Sequence, residues 1–453
     1  MTATVSERLV DFAAQWRERG PPPEVVHEAK RLVLNQLKAS VGATTHPAVR
    51  ILHDWAVAPG GTPQAHALWF GTPLPAERAA VVNGALFEVL DFHDTYIPTY
   101  MHAVSAVLPA LLASAEQGRH GGQAFLRALA LGLEIELACA TILMPTGYYR
   151  GYVPAGLVGG VGAAAACSIL ADLDATRMRN ALGLAMTTAF GLYESVGSMA
   201  LSYITGATAR SGLTAFDLAQ RGFDAPRTAF EGEKGMFVTH TDEDVAKVAG
   251  VLDSLGSTWR IFGQSYKTIP TETITHGPVE CTLALLARAG GRTIDRMRFA
   301  VEPIVVKIAD ERRERFGNPS SELMARFDLR FCAAAAWVRG KFTLDEMREP
   351  AYTDPRILDL RARIDLIADP ARKTFDGCGL EILYTDGSRD AIVIDNFLGS
   401  PGRRMTDAQL ADVFRSAADG LLPAARIDAL LDAVWHLDQA DGVAQLMSLA
   451  RLP

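Results

Sequence analysis

The sequence predicts a mainly α-helical protein in which a smaller α+β domain is inserted between N- and C-terminal helical segments. Three observations predict it. Apolar residues recur at three-to-four spacing from Val5 to about Gly222, strand-like runs are confined to the region after about Pro270, and helical signals return after Met405. At 453 residues the chain is too long for one ordinary core.

In chain order, the first clear apolar face is Val25, Val26, Ala29, Leu32, Val33 and Leu37, and similar faces recur over residues 125–143 and 178–192. Residues 157–170 form the longest apolar run, shorter than the roughly 18–20 residues of a membrane span. Its Gly159, Gly160, Gly162 and Ala163 to Ala166 let helix axes approach closely, so a buried helix is expected. Residues 299–308 and 363–367 read as strands, and 380–384 is joined to 390–394 by a turn containing Asp386-Gly387. Between them, 320–339 and 344–347 read as helical. Thr406-Asp-Ala-Gln409 is a capping box that opens a helix, and Ala424–Trp435 continues in the same style. Helices from both ends can then rejoin one bundle. The expected domains are an all-α body of residues 1–268 plus 397–453 and an α+β lid of residues 269–396.

Composition narrows the function classes. Apolar residues make up 49% and charged residues 21%, which excludes a disordered or fibrous chain. The net charge is -8, and the densest basic run, Arg312-Arg313-Glu314-Arg315, is broken by an acid, so no nucleic-acid partner is expected. Cys139, Cys167, Cys281, Cys332 and Cys378 are far apart and odd in number, without CxxC or zinc-type spacing. Free thiols in a reducing, cytoplasmic compartment fit that pattern. Residues 1–19 alternate charge with apolar positions and lack the apolar core of a signal peptide. No membrane partner is expected.

Three segments carry chemistry. The first runs from Asn83 through Glu88, Asp91, His93, Asp94 and Thr95 to His102. Asp91, Asp94 and Thr95 share one helical face if the helix continues that far, while the alternative is a solvated helix end capped by Asp91. A D-x-x-D pair can also hold magnesium, but no second acidic ligand set accompanies it, and no metal is expected. The second segment is Ser265-Tyr266-Lys267-Thr268-Ile269-Pro270 followed by Thr275-His276-Gly277. A lysine flanked by Tyr266 and Ile269 can be desolvated enough to serve as general base or acid, whereas most lysines are surface charges. His276 reads equally as a helix-start residue. The third, Tyr148-Tyr149-Arg150-Gly-Tyr152-Val153-Pro-Ala-Gly156, sets three phenols and a guanidinium before a Gly/Ala-rich helix. It reads either as an anion site or as a packed aromatic loop.

Taken together and in this order, Leu90-Asp-Phe-His-Asp-Thr95, Met101-His102, Arg150 to Gly156, Ala207 to Gly212, Lys267 to Pro270 with Thr275-His276, and Met405 to Leu410 with Val434-Trp435 resemble the MmgE/PrpD family. The resemblance covers nearly the whole chain. It implies a cofactor-independent homodimeric enzyme, with an all-α domain, an α+β lid and a metal-free site between them, acting on a small organic acid. Asp91, Thr95, His102 and Lys267 match positions implicated in the family's active site, with His276 beside the same pocket. Three departures stand out. His93 replaces the middle acid of D-F-D-D-T, Val153 and Ala155 replace the histidine and threonine of the family's loop, and Leu201 and Ile204 stand near its lysine and histidine.

Losing two cationic positions implies a substrate with fewer carboxylates than a tricarboxylate, or one with an apolar group facing Val153 and Leu201. The expected chemistry is abstraction of a proton next to a carboxylate followed by loss of a leaving group, a dehydratase or decarboxylase. Lys267 or His102 would be the base, with Asp91 and Thr95 orienting the acid side and His93, Asp94, Arg150, Tyr152 and His276 around the substrate. The alternatives are an epimerase using Tyr149 and Lys267 on opposite faces, and a non-catalytic relative that binds a small molecule.

Overall fold

The computed structural model describes residues 3–242, 245–373, 375 and 377–453, so Met1 and Thr2 of the 1–19 segment lie outside the described residues. Two compact units are formed, one by Met1–Gln264 with Thr406–Pro453 and the other by Ser265–Met405.

The first unit is built around five helices, Ala76–Glu88, Val104–Ala115, Gly122–Leu143, Pro154–Leu170 and Ala200–Gln220. Pro154–Leu170 is buried along its whole length, which explains its lack of a polar face. Small residues set the spacing. A Cβ added to Gly206 would lie 2.3 Å from the carbonyl oxygen of Val81, and one added to Gly162 would lie 2.7 Å from the Glu136 Cβ. Only glycine permits helix backbones to meet this closely.

The apolar pattern over 178–192 overran its helix, which spans Ala175–Thr187. Residues 188–192 turn away because the Phe190 N–H donates to the Gly156 carbonyl and the Gly191 carbonyl accepts from Val153, with Gly191 at φ 113°. A short hairpin, Ala65–Ala67 paired with Thr72–Leu74, also interrupts the helical stretch.

The C-terminal helices Asp407–Ala418 and Ala424–Trp435 belong to this unit. Thr406 and Gln409 form the capping box that opens the first. The helix Pro23–Ser40 holds both: Asp407 takes His27 Nε2 at 2.9 Å and pairs with Arg31, and Lys30 Nζ donates to the Trp435 carbonyl at 2.8 Å and to Asp438 at 2.6 Å. Among the described residues no helix is long and apolar enough to cross a membrane.

The second unit carries a four-stranded sheet in the order Ile364–Ala368, Ile294–Val301, Cys378–Tyr384, Arg389–Ile394. The first pair is parallel and the other two antiparallel, with Phe299 opposite Leu380 and Leu380 opposite Ile392. Gly387 at φ 82° makes the final hairpin turn. Met297, Phe299, Leu380 and Ile382 form its core with Phe331 and Ala333 of the helix Leu329–Arg339.

Two expectations are corrected here. The strand expected over 299–308 stops at Val301, because Pro303 opens the helix Pro303–Phe316 with its fixed φ. The helix expected over 320–339 is two helices, Glu322–Arg326 and Leu329–Arg339, separated where the Asp328 side chain caps the second.

Candidate active site

The helix Ala76–Glu88 ends earlier than its apolar pattern suggests. The Asp91 N–H donates to the Glu88 carbonyl at 2.9 Å, and Asp91 takes a left-handed backbone at φ 49°. Asp tolerates this region better than most residues, so the chain reverses here. The expected single helical face of Asp91, Asp94 and Thr95 therefore does not form. Thr95–Tyr96 is extended instead, Tyr96 bridges Met101, and Tyr100 at φ 54° closes the turn. Residues 88–102 thus fold back on themselves just before the helix Val104–Ala115.

That reversal gathers the side chains. His102 Nδ1 lies 2.8 Å from the Asp94 backbone carbonyl and 3.3 Å from Thr95 Oγ1. A carbonyl can only accept, so Nδ1 carries a proton, and in the neutral form of the ring the lone pair is on Nε2. His93 stands edge to face against His102 with centroids 4.1 Å apart. Its Nε2 is 3.6 Å from Glu88 Oε2 and 3.9 Å from Asp91 Oδ1. Glu88, Asp91, His93, Asp94 and Thr95 are all buried.

Behind this group, Gln36 Nε2 donates to Asp94 Oδ1 at 2.6 Å and lies 3.4 Å from Ser105 Oγ. Glu136, on the helix Gly122–Leu143, is fully buried, and neither carboxyl oxygen has a hydrogen-bond partner among the described residues. Burial, and secondarily the negative charge of Asp94, push its carboxyl well above the usual range. Its burial therefore favours the protonated, neutral form.

Other predicted residues lie elsewhere in the same unit. Tyr149 is 64% exposed, and it is Tyr148 that packs against Tyr100, with ring centroids 5.0 Å apart, and meets the Tyr193 hydroxyl at 3.1 Å. Arg150 pairs with Asp242 at 2.7 Å and donates to the Thr239 carbonyl. The Tyr152 ring faces His240 at 5.1 Å. Val153 is buried at the start of Pro154–Leu170, and Leu201 is half-buried in the first turn of Ala200–Gln220. The 188–192 segment links these two helix starts, since Gly191 accepts from the Val153 N–H and packs on Ile204. Lys267 and His276 belong to the second unit and are both buried, His276 opening the helix His276–Leu286 with its ring 5.0 Å from Phe397.

Sequence reasoning missed Gln36, Glu136 and Tyr193, and gave Glu88 no role. For Glu88 and Glu136 a signal existed: each is an acid inside a largely apolar run, Glu136 sharing its run with Glu134, where a charge without a partner is disfavoured.

Comparison with known proteins gives a family match over most of the chain. Residues 7–248 match the MmgE/PrpD N-terminal domain and residues 269–437 the MmgE/PrpD C-terminal domain. The chain is 25% identical to the cis-aconitate decarboxylase of Homo sapiens over 447 residues, covering 95% of this chain and 91% of the relative. It is 25% identical to that of Mus musculus over 449 residues, 95% and 90% of the two chains. With the Aspergillus terreus enzyme of the same name it shares 24% over 484 residues, 99% and 96%.

Proposed function

Because this chain belongs to the MmgE/PrpD family, we propose that it is a lyase that moves a proton at a carbon next to a carboxylate of a small organic acid. The observation that carries the reading is the 2.8 Å approach of His102 Nδ1 to the Asp94 carbonyl, which fixes the ring proton on Nδ1 and makes Nε2 the nitrogen that exchanges a proton with the substrate.

In dehydration, neutral Nε2 takes the proton from carbon, and the electron pair left behind expels hydroxide, which leaves as water with a proton from the acid side. In decarboxylation, Nε2 first takes up a proton from solvent; carbon dioxide then departs, its bonding pair stays on the substrate carbon, and Nε2 gives that proton to the delocalised carbanion. The relatives named cis-aconitate decarboxylase favour the second course. Thr95 and Asp91 hold the acid side, and Lys267 is a second proton-transfer group. No cofactor is needed, since each step moves only protons and the substrate's own electrons. The chain works as a homodimer in the cytoplasm, and five buried free cysteines accord with a reducing compartment.

Val153 and Leu201 define the substrate class. Apolar side chains at these positions leave a carboxylate without a cationic partner, so the substrate is less anionic than a tricarboxylate. The test is a panel of mono-, di- and tricarboxylic acids incubated in heavy water with wild type and Lys267→Ala. Carbon dioxide or alkene release, with deuterium at carbon in wild type, is expected for mono- or dicarboxylates. Turnover confined to tricarboxylates, or undiminished in the folded variant, contradicts it.

A further inference from the structure

One donor atom each of Glu88, His93 and His102 lies within 4.8 Å of the others. Glu88 and His93 are buried, and the Glu88–His93 edge, Oε2 to Nε2, is already 3.6 Å. A zinc ion with bonds of about 2.0–2.2 Å spaces its ligand atoms by about 3.4 Å, so one edge is in place and the others need a shift of about 1 Å or little more.

Two further observations point to a cation. The imidazole of His102 is oriented as metal-binding histidines are, its Nδ1–H engaged by a backbone carbonyl so that Nε2 presents the lone pair. Asp91 Oδ1, 3.9 Å from His93 Nε2, lies beside the three donors as a second carboxylate oxygen. Two imidazoles with a carboxylate select zinc and similar first-row transition ions over magnesium or calcium, which prefer an all-oxygen set.

We propose that Glu88, His93 and His102 form a binding site for a divalent transition-metal cation of the zinc class, and that its occupancy switches turnover off. The inhibitory half rests on the role of His102 proposed above: a cation on Nε2 takes the lone pair that would accept the substrate proton. Glu88 and His93 would hold the cation beside the proton carrier, which makes the site a control point.

The experiment is equilibrium dialysis of chelator-stripped full-length protein against zinc chloride without substrate, with cobalt(II) as a spectroscopic stand-in. Expected are one zinc per chain, visible cobalt bands of a four-coordinate nitrogen–oxygen site, and at least tenfold weaker binding in Glu88→Gln and in His93→Asn, with binding unchanged in His436→Ala, which removes an exposed histidine following the helix Ala424–Trp435. Turnover should fall over the same zinc range and recover on chelation. Absence of stoichiometric binding and of the cobalt bands in wild type, or binding unchanged in both variants, overturns the site and leaves the role of His102 standing. Zinc held here with turnover intact overturns the switch, and the role of His102 with it.

Discussion

Gln36 and Asp94 are joined inside the helical unit, the Gln36 amide donating to Asp94 Oδ1 at 2.6 Å while the backbone carbonyl of the same aspartate receives His102 at 2.8 Å. One residue is thus gripped from a neighbouring helix and in turn fixes the imidazole. Gln36→Leu removes this donor from a buried carboxylate. A loss of about 1–3 kcal/mol in stability is expected, with kcat lowered about tenfold and KM little changed, because the ring is misaimed but the substrate contacts remain. Denaturant unfolding and steady-state kinetics measure both, and an unaltered kcat would separate Gln36 from the site.

Glu136 gives the helical unit a pH dependence of definite sign. Its folded carboxyl is held above the ordinary value of 4.5, so the folded chain keeps a proton that the unfolded chain has released. Stability from this group is fully present below pH 4.5 and falls as pH rises toward the folded value. Glu136→Gln, which mimics the neutral acid, should be more stable than wild type at pH 7–8 and should flatten the decline. Thermal melts across pH 4–9 test this; parallel curves for the two proteins would show Glu136 to be ionised in the fold.

Arg260 and Glu134 form a buried pair, with Arg260 Nη1 at 2.6 Å from one carboxylate oxygen and the Arg260 N–H at 2.7 Å from the other. Burial raises the Glu134 carboxyl even with the arginine beside it. Arg260→Met therefore strands a buried acid and should cost about 3–5 kcal/mol. The double variant Arg260→Met with Glu134→Leu should recover much of the loss, and no recovery would mean that Arg260 acts chiefly through the Val251 carbonyl and Ser254 it also contacts.

Charge at two positions should set specificity. Val153→His combined with Leu201→Lys restores cationic groups at two helix starts linked through Gly191. KM for a tricarboxylate should fall at least tenfold, and the preference for less anionic acids should narrow. Unchanged KM values for both classes would remove Val153 and Leu201 from the account of substrate choice.

The sequence was most informative where one physical rule governs a stretch. The buried Pro154–Leu170 helix, the Thr406 capping box and the hairpin turn at Gly387 each follow from local composition. Errors came where a tertiary contact ended an element before its pattern did. The pull of Gly156 and Val153 on residues 190–191 and the reversal at Asp91 are of this kind. Asp91, His93, Asp94, Thr95 and His102 were legible as chemistry-bearing, yet their arrangement depends on a left-handed turn that periodicity does not announce. Gln36 and Glu136 stayed hidden because they reach the group across helix packing, from positions 58 and 42 residues away from Asp94 in the chain.

The pH–rate profile of His102→Gln, on protein shown to be folded and with the best substrate of the acid panel, bears most directly on the central claim. Loss of His102 as proton carrier should lower kcat by about 10²–10⁴-fold and abolish the limb of the profile that titrates in the histidine range. A variant that retains wild-type kcat, or keeps that limb unchanged, would contradict the assignment.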